Sequence, residues 1–295
     1  MNGDSAAVSD LQKSASDFLW QKMKSADFSK AQDMLLKAEN DYVGACGRFF
    51  SGQASNEPVW LLRKKNGETA ALILNSRSTV MPVLRGLHEI PAPNFLKGFL
   101  RRKKIHSVQG LKNEVLILEE TIRKTGRKPR DIIDYDLMSL DRKPDESALL
   151  CGPENLFLCT PRLIDLDKIA PLQAGYEQEE VLPKGSVFSP AASRANTAHI
   201  ITNGKILAAQ IDGRFVGKIN VNAISFTRYQ VGGVYVHPAF RGLGIARRMA
   251  AEFITSLMNE GKGVTLFVKK NNTAAVRLYT GLGFQARGDY RITYY

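Results

Sequence analysis

The sequence predicts an α/β (α+β) protein of two domains, with mixed, mostly antiparallel sheets flanked by helices. Three observations predict it. The chain has 295 residues, longer than one ordinary core and about the length of two domains. Short runs rich in Val, Ile, Leu and Phe alternate with stretches whose apolar residues return at helical spacing. Two hairpin dipeptides, Asn66-Gly67 and Asp212-Gly213, each separate a pair of such runs.

Between residues 10 and 50, Leu11, Phe18, Leu19, Met23, Met34, Leu35, Ala38, Tyr42 and Phe49 fall at helical intervals. They predict two helices with a break around 27–29. "VWLLRK" and "AALILNS" flank Asn66-Gly67 as a hairpin, and "TVMPVL" reads as a third strand. "NFLKGFLRRKK" follows as a helix, "IHSVQG" as a strand, "KNEVLILEETIRKTG" as a helix ending near Gly126, and "IIDYDLMSL" as a strand. The charged, Pro- and Gly-bearing stretch 141–155 is the expected linker, so the domains are expected over 1–150 and 151–295.

In the second domain "LFLCTP" reads as a strand and "LIDLDKIAPLQAGYEQEEV" as a helical stretch. Two strands surround Asp212-Gly213, "YQVGGVYVHP" is a further strand, and "LGIARRMAAEFITSLMNEG" is a helix closed by Gly261. "GVTLFVKKN", "NTAAVRLYTGLG" and "RITYY" complete the order as strand, helix and strand. The predicted order is β-α-β-β-β-α-β-α-β.

Composition excludes several classes. Apolar residues make up 44% and charged residues 24%, as in a globular rather than a disordered chain. No apolar run approaches the roughly 18 residues of a membrane span. The opening residues have no basic segment followed by an apolar one, so a cytoplasmic protein is expected. Cys46, Cys151 and Cys159 are widely spaced and odd in number, and read as small buried hydrophobes in a reducing compartment. His88, His106, His199 and His237 are scattered, so no metal is expected. The net charge is +12. Residues 97–130 hold 11 Lys/Arg against 3 Asp/Glu. Such a stretch is a solvated face or a surface for nucleic acid, but no aromatic stacking platform interleaves it.

The stretch "VYVHPAFRGLGIARRM", 234–249, joins a strand to a helix through two glycines. The first helical turn carries free N–H groups and the positive dipole end, which suit an anion. Gly244 lets backbone approach a phosphate, Ala246 keeps the next turn clear, and Arg241 adds charge. No Lys-Ser/Thr follows, and there is no third glycine with a downstream acid, so neither common phosphate fingerprint applies. A plain helix start is the alternative for this loop taken alone.

A second segment, "LFVKKNNTAAVRLYTGLGF", completes the pattern. Together the two resemble the GNAT superfamily of acyl-CoA-dependent N-acyltransferases over about 156–295. The family's Q/R-x-x-G-x-G/A loop is matched by Arg241, Gly244 and Ala246, and its upstream Val-x-Pro by Val236 and Pro238. An Asn seven residues before a Tyr, then Leu-Gly-Phe, is matched by Asn272, Tyr279, Leu282, Gly283 and Phe284. The resemblance implies acetyl-CoA as co-substrate and no metal. Val234, Tyr235 and Val236 would offer backbone groups to the pantetheine arm and acyl carbonyl, with an N–H near Val236 as oxyanion donor. Gly242, Leu243, Gly244, Ile245, Ala246 and Arg247 would cradle the pyrophosphate. Asn272 would bond the pantetheine, and Tyr279 would protonate the departing thiolate.

The pattern departs from the family in one respect. No carboxylate stands on the strand of Gly232 to Tyr235 or on that of Leu266 to Val268 to take the amine's proton. Glu179 and Glu180 either reach the site through water or form an exposed helix face. Gly232 and Gly233 leave room for a bulky acceptor or a longer acyl chain. Asn220 and Asn222 share one strand face at period two, toward substrate or toward solvent.

The first half has no such loop, and its element order suggests a degenerate, non-catalytic copy of the same fold that walls the acceptor groove. The expected function is acetyl transfer to a primary amine by direct attack. The alternatives are an acyl-CoA sensor without turnover and an RNA- or tRNA-associated acyltransferase. None of the cysteines stands in a nucleophile setting, so no acyl-enzyme is expected.

Overall fold

The computed structural model describes residues 17–50, 58–91 and 93–295; the expected helical residue Leu11 lies outside them. The elements run β1 (Phe18–Lys22), α1 (Phe28–Leu36), α2 (Val43–Phe50), β2 (Val59–Lys64), β3 (Thr69–Ser76), β4 (Thr79–Val83) and α3 (Pro93–Arg102). Next come β5 (Ser107–Leu111), α4 (Lys112–Arg123), β6 (Asp131–Leu140), β7 (Leu156–Cys159) and α5 (Leu166–Tyr176). The chain closes with α6 (Pro190–Asn203), β8 (Ile206–Ile211), β9 (Arg214–Ile224), β10 (Arg228–Val236), α7 (Ile245–Met258), β11 (Gly263–Lys269), α8 (Thr273–Gly281) and β12 (Gln285–Tyr294). From β1 to β6 and again from β7 to β12 the order is β-α-α-β-β-β-α-β-α-β.

The chain divides into two compact units, one of residues up to Tyr135 together with Asp289–Tyr295, the other Asp136–Gly288. The 141–155 stretch belongs to the second unit. Its short 3-10 turn Glu146–Leu150, capped by Asp145, buries Ala148 in that unit's core.

In the first unit β1, β2, β3 and β4 pair antiparallel in sequence, β4 pairs parallel with β5, and Tyr290–Tyr294 of β12 pair antiparallel with β5. The sheet has apolar side chains on both faces, following the period of two along a strand. Leu62 and Ile73 pack with Leu96, Val115 and Ile122, while Leu61 and Leu72 pack with Leu35, Cys46 and Phe49. Phe18 and Leu19, expected in a helix, lie in β1. Tertiary pairing decides this: Trp20 lies opposite Leu62 in the ladder with β2 and is buried, while Leu19 points outward. The two helices do occur, but at α1 and α2.

In the second unit β7, β8, β9 and β10 pair antiparallel, and β10 pairs parallel with β11. The turn joining β8 to β9 holds Asp212 and Gly213 at φ 47° and 76°, the left-handed pair that a two-residue hairpin requires. One core, with Val216, Ile219, Met249, Ile254, Val264 and Leu266, lies under α7. The other, with Ile169, Leu172, Phe215 and Tyr235, lies under α5. The sequence reading missed α6. It buries only Ser193 and Thr197 and so shows no apolar stripe. Its legible signal was Ser189-Pro190, where the Ser189 hydroxyl accepts from Ala192 N and Pro190 takes the first turn. Cys46 is buried as expected, whereas Cys151 and Cys159 are half-buried.

Candidate active site

The site is a parting between two strands. β10 and β11 pair only from Arg228/Gly263 to Gln230/Thr265. Beyond that register both strands continue, to Val236 and Lys269, without pairing each other. On its other side β10 stays on β9 but bulges between Gly232 and Tyr235. Gly233 sits in the bulge at φ +61°, and a Cβ there would stand 2.7 Å from Lys218 Nζ. A side chain at that position is excluded by backbone and by neighbour alike. The room at Gly232 and Gly233, expected for a large substrate, is instead filled by Asn222 at the first and by Asn220 and Lys218 at the second.

After β10 comes the glycine loop. The loop is pinned at its entrance, because Arg241 Nε donates to the Val236 carbonyl at 2.9 Å. Helix α7 then starts from Gly244, a left-handed N-cap at φ +78° with no side-chain cap. Only glycine fits there, since a Cβ would meet Gly152 N at 2.9 Å. Arg247 N and Arg248 N bond the Gly244 carbonyl. The N–H groups of Ile245 and Ala246 open the helix, where the dipole is positive. Leu243 is half exposed beside them. The Arg247 side chain turns away to donate to the Gly281 carbonyl at 3.3 Å.

Glu179 and Glu180 were expected either on an exposed helix face or within reach of the site through water. They lie in a single π-turn, Glu177–Val181, that follows α5 and meets both strands. Tyr235 Oη donates to Glu179 at 2.8 Å. Arg241 Nη2 also donates to Glu179 at 2.8 Å, with the guanidinium 5.3 Å from the Tyr235 ring centre. Across the parting, Asn272 Nδ2 donates to Glu180 at 3.1 Å, and Lys269 Nζ is 3.4 Å from Glu180. Burial opposes ionisation of Glu179, but the hydrogen bonds from Arg241 and Tyr235 outweigh it and hold the carboxyl below its usual range. An ionised, doubly bonded carboxylate is a poor proton acceptor.

Asn272 is the N-cap of α8, where its Oδ1 accepts from Ala275 N at 3.1 Å, so its amide NH2 is the end that faces the parting. Tyr279, one helix face on, is buried with its ring edge-on to Phe284 at 5.7 Å. Burial pushes the phenol well above its usual value, with Tyr176 and Glu180 adding to the effect. It therefore stays protonated at any working pH, as a proton donor must.

Lys218 escaped the sequence reading. It lies on β9 directly opposite Tyr235 and is fully buried. Its Nζ donates to Asn220 Oδ1 and to the Gly233 carbonyl, both at 2.8 Å. Burial pushes the ammonium down from 10.5 to about 7, against the opposing pull of Glu177. Asn220 Nδ2 donates in turn to Asn222 Oδ1 at 2.9 Å. Asn220 is buried and Asn222 exposed, so the amide pair runs from the lysine to the surface. The available signal was "GKINVN", three polar residues at period two in an otherwise apolar strand.

The parallel pair β10 and β11 thus opens beside an uncapped, glycine-led helix start. The model of the Acetyltransferase (GNAT) family matches residues 174–284, and the second unit carries a domain of that transferase family. N-alpha-acetyltransferase RimI of Mycobacterium tuberculosis is 35% identical over 85 residues, 28% of this chain and 52% of its own. An uncharacterized protein of Mycobacterium leprae is 25% identical over 151 residues, 50% of this chain and 39% of its own. The chain thus spans about half the length, or less, of these curated relatives.

Solved structures resemble the chain over nearly its whole length. A tandem GNAT protein from the clavulanic acid biosynthesis pathway matches at TM-score 0.61 and 14% identity, over 94% of this chain and 98% of its own. A GCN5-related N-acetyltransferase from Sphaerobacter thermophilus matches at 0.60 and 20%, over 94% of each chain. A Drosophila protein matches at 0.66 and 14%, over 95% and 99%. These likenesses concern the fold, and they agree with the element order repeated in the two units. Among the described residues no cluster of metal-binding side chains occurs, and no helix is long and apolar enough to cross a membrane.

Proposed function

We propose that the second unit transfers an acetyl group from acetyl-CoA to a primary amine by direct attack. The observation that carries this reading is the parting of β10 and β11 after Gln230 and Thr265, next to the uncapped start of α7. The unpaired edge of β10, from Val234 to Val236, supplies backbone donors and acceptors for the pantetheine arm. An N–H near Val236 is the oxyanion donor as the thioester carbon becomes tetrahedral. Gly242 to Arg247 hold the pyrophosphate, with Arg241 at the entrance. Asn272 bonds the pantetheine, and Tyr279 gives its proton to the departing thiolate. The first unit has no matching glycine loop and is the non-catalytic copy. The name of the Mycobacterium tuberculosis relative favours an α-amino group as acceptor.

For the co-substrate to enter, the acidic turn has to release its partners. Arg241 and Asn272, two of the proposed ligands, are bonded to Glu179 and Glu180. Both pairs are partly exposed, where exchange of partners is inexpensive. The test is release of free thiol from acetyl-CoA in the presence of a panel of primary amines, including short peptides with free N-termini. Thiol release matched by acetylated amine is the expected result. Binding of acetyl-CoA with no release for any amine would leave a sensor, and absence of both would end the reading.

A further inference from the structure

Direct attack by an amine needs a group that takes its proton, and the strands of the parting carry no carboxylate there. We propose that Lys218 is that proton acceptor, its Nζ held at the Gly233 bulge where β10 turns toward the reacting carbonyl. The proposal rests on the reading of the second unit as an acetyltransferase and deepens it.

The geometry suits a neutral amine. Lys218 Nζ has two acceptors, Asn220 Oδ1 and the Gly233 carbonyl. A neutral NH2 donates to both and keeps its lone pair free. An ammonium needs a third partner, and the Tyr176 ring centre, 5.1 Å from Nζ, provides one once the proton has arrived. The titratable groups facing the lysine are Tyr176 from α5, Glu177 from the acidic turn, and Tyr235 from β10 with Glu179 bonded to it. Glu177 is bonded by Gln173 Nε2 and Asn196 Nδ2, so it does not bridge to Nζ. Burial outweighs the pull of Glu177 and brings the lysine down to about 7, so about half of it is neutral at pH 7, the condition of a general base at neutral pH.

Lys218 is covered by Tyr176, which leads directly into the Glu177–Val181 turn. Release of Glu179 and Glu180 on co-substrate entry loosens the segment that covers it. The reaction then balances. The amine nitrogen forms the C–N bond, and one of its protons passes to Lys218 Nζ. The C–S bond breaks, the thiolate takes the proton of Tyr279, and the lysine's proton restores the phenol through solvent. No acyl-enzyme and no further co-reactant is needed.

The experiment uses the full chain labelled with ¹³C at lysine Cε, titrated by NMR, with Lys218→Met identifying the signal. A midpoint near 7 supports the proposal; a midpoint near the ordinary 10.4 overturns it, because the group would be charged throughout. With any amine that turns over, the wild-type kcat/KM should rise through the same midpoint. Lys218→Met should lower kcat about 100-fold and lose that limb, with acetyl-CoA affinity within about threefold of wild type. Unchanged kcat, or affinity lost in step with kcat, overturns the role. If Lys218→Met does not fold, Lys218→Gln identifies the signal, and the wild-type rate profile still decides. Failure of every amine to release thiol removes the reaction itself, whereas normal turnover with a lysine midpoint near 10 removes only this role.

Discussion

Replacing Ala246 by Glu tests the phosphate cradle. Ala246 is the second residue of α7 and is half-buried. Side chains on a helix lean toward its N-terminus, so the new carboxylate falls over the turn of Leu243 and Gly244. An acid in the first turn favours the helix by about 0.3–1 kcal/mol, which offsets part of the packing lost where Ala246 meets the core, so the melting temperature should change little. The same carboxylate occupies the free N–H groups and repels the pyrophosphate. Unit charges about 4 Å apart interact by about 1 kcal/mol in water and about 4 kcal/mol at a protein surface. Taking roughly 2–3 kcal/mol between these limits gives a loss of acetyl-CoA affinity of about 30- to 150-fold. Calorimetric titration beside a thermal melt reads both effects. Undiminished affinity in a folded variant would refute the placement of the phosphates at α7. Gly244→Glu is the poorer choice, because its φ of +78° and the contact with Gly152 N would mix strain with repulsion.

Three further outcomes are expected. Tyr279→Phe should lower kcat about 100-fold while leaving acetyl-CoA affinity nearly unchanged, by thiol-release kinetics and calorimetry, since only the proton is lost. Glu179→Gln should tighten acetyl-CoA binding several-fold by calorimetry, because it frees Arg241 for the pyrophosphate; weaker binding would mean that the turn supports the co-substrate instead of competing with it. In the first unit the hydrogen bonds from Arg291 outweigh burial and, with Lys112, hold the Asp134 carboxyl down from 3.8 to about 2. Below the unfolded value the unfolded chain takes up the proton first. The stabilisation is therefore complete above pH 3.8 and lost as pH falls through about 2. Melting temperatures of wild type and Asp134→Asn should differ near neutrality and converge in acid.

Local chemistry made much of the fold legible. Asp212-Gly213 announced its hairpin because few residues tolerate its two left-handed positions, and Asn66-Gly67 announced its own because Gly67 takes the left-handed position that closes that turn. The loop from Arg241 to Ala246 announced a helix start because Gly244 is required there by both φ and contact. What stayed hidden depends on partners distant in sequence. β1 is a strand because β2 lies beside it, although Phe18, Leu19 and Met23 also suit a helix. Lys218 looks like an ordinary strand residue until the bulge at Gly233 and the ring of Tyr176 close around it. Glu179 and Glu180 read more readily as solvated charges, and only the fold brings them to Arg241 and Asn272.

The most direct test of the central claim is backbone amide exchange with and without acetyl-CoA. The account predicts slowed exchange from Val231 to Val236, on the unpaired edge of β10, and from Leu243 to Arg247 at the start of α7. The first unit's strands should remain unchanged. Protection confined to other elements, or none at saturating acetyl-CoA, would contradict it.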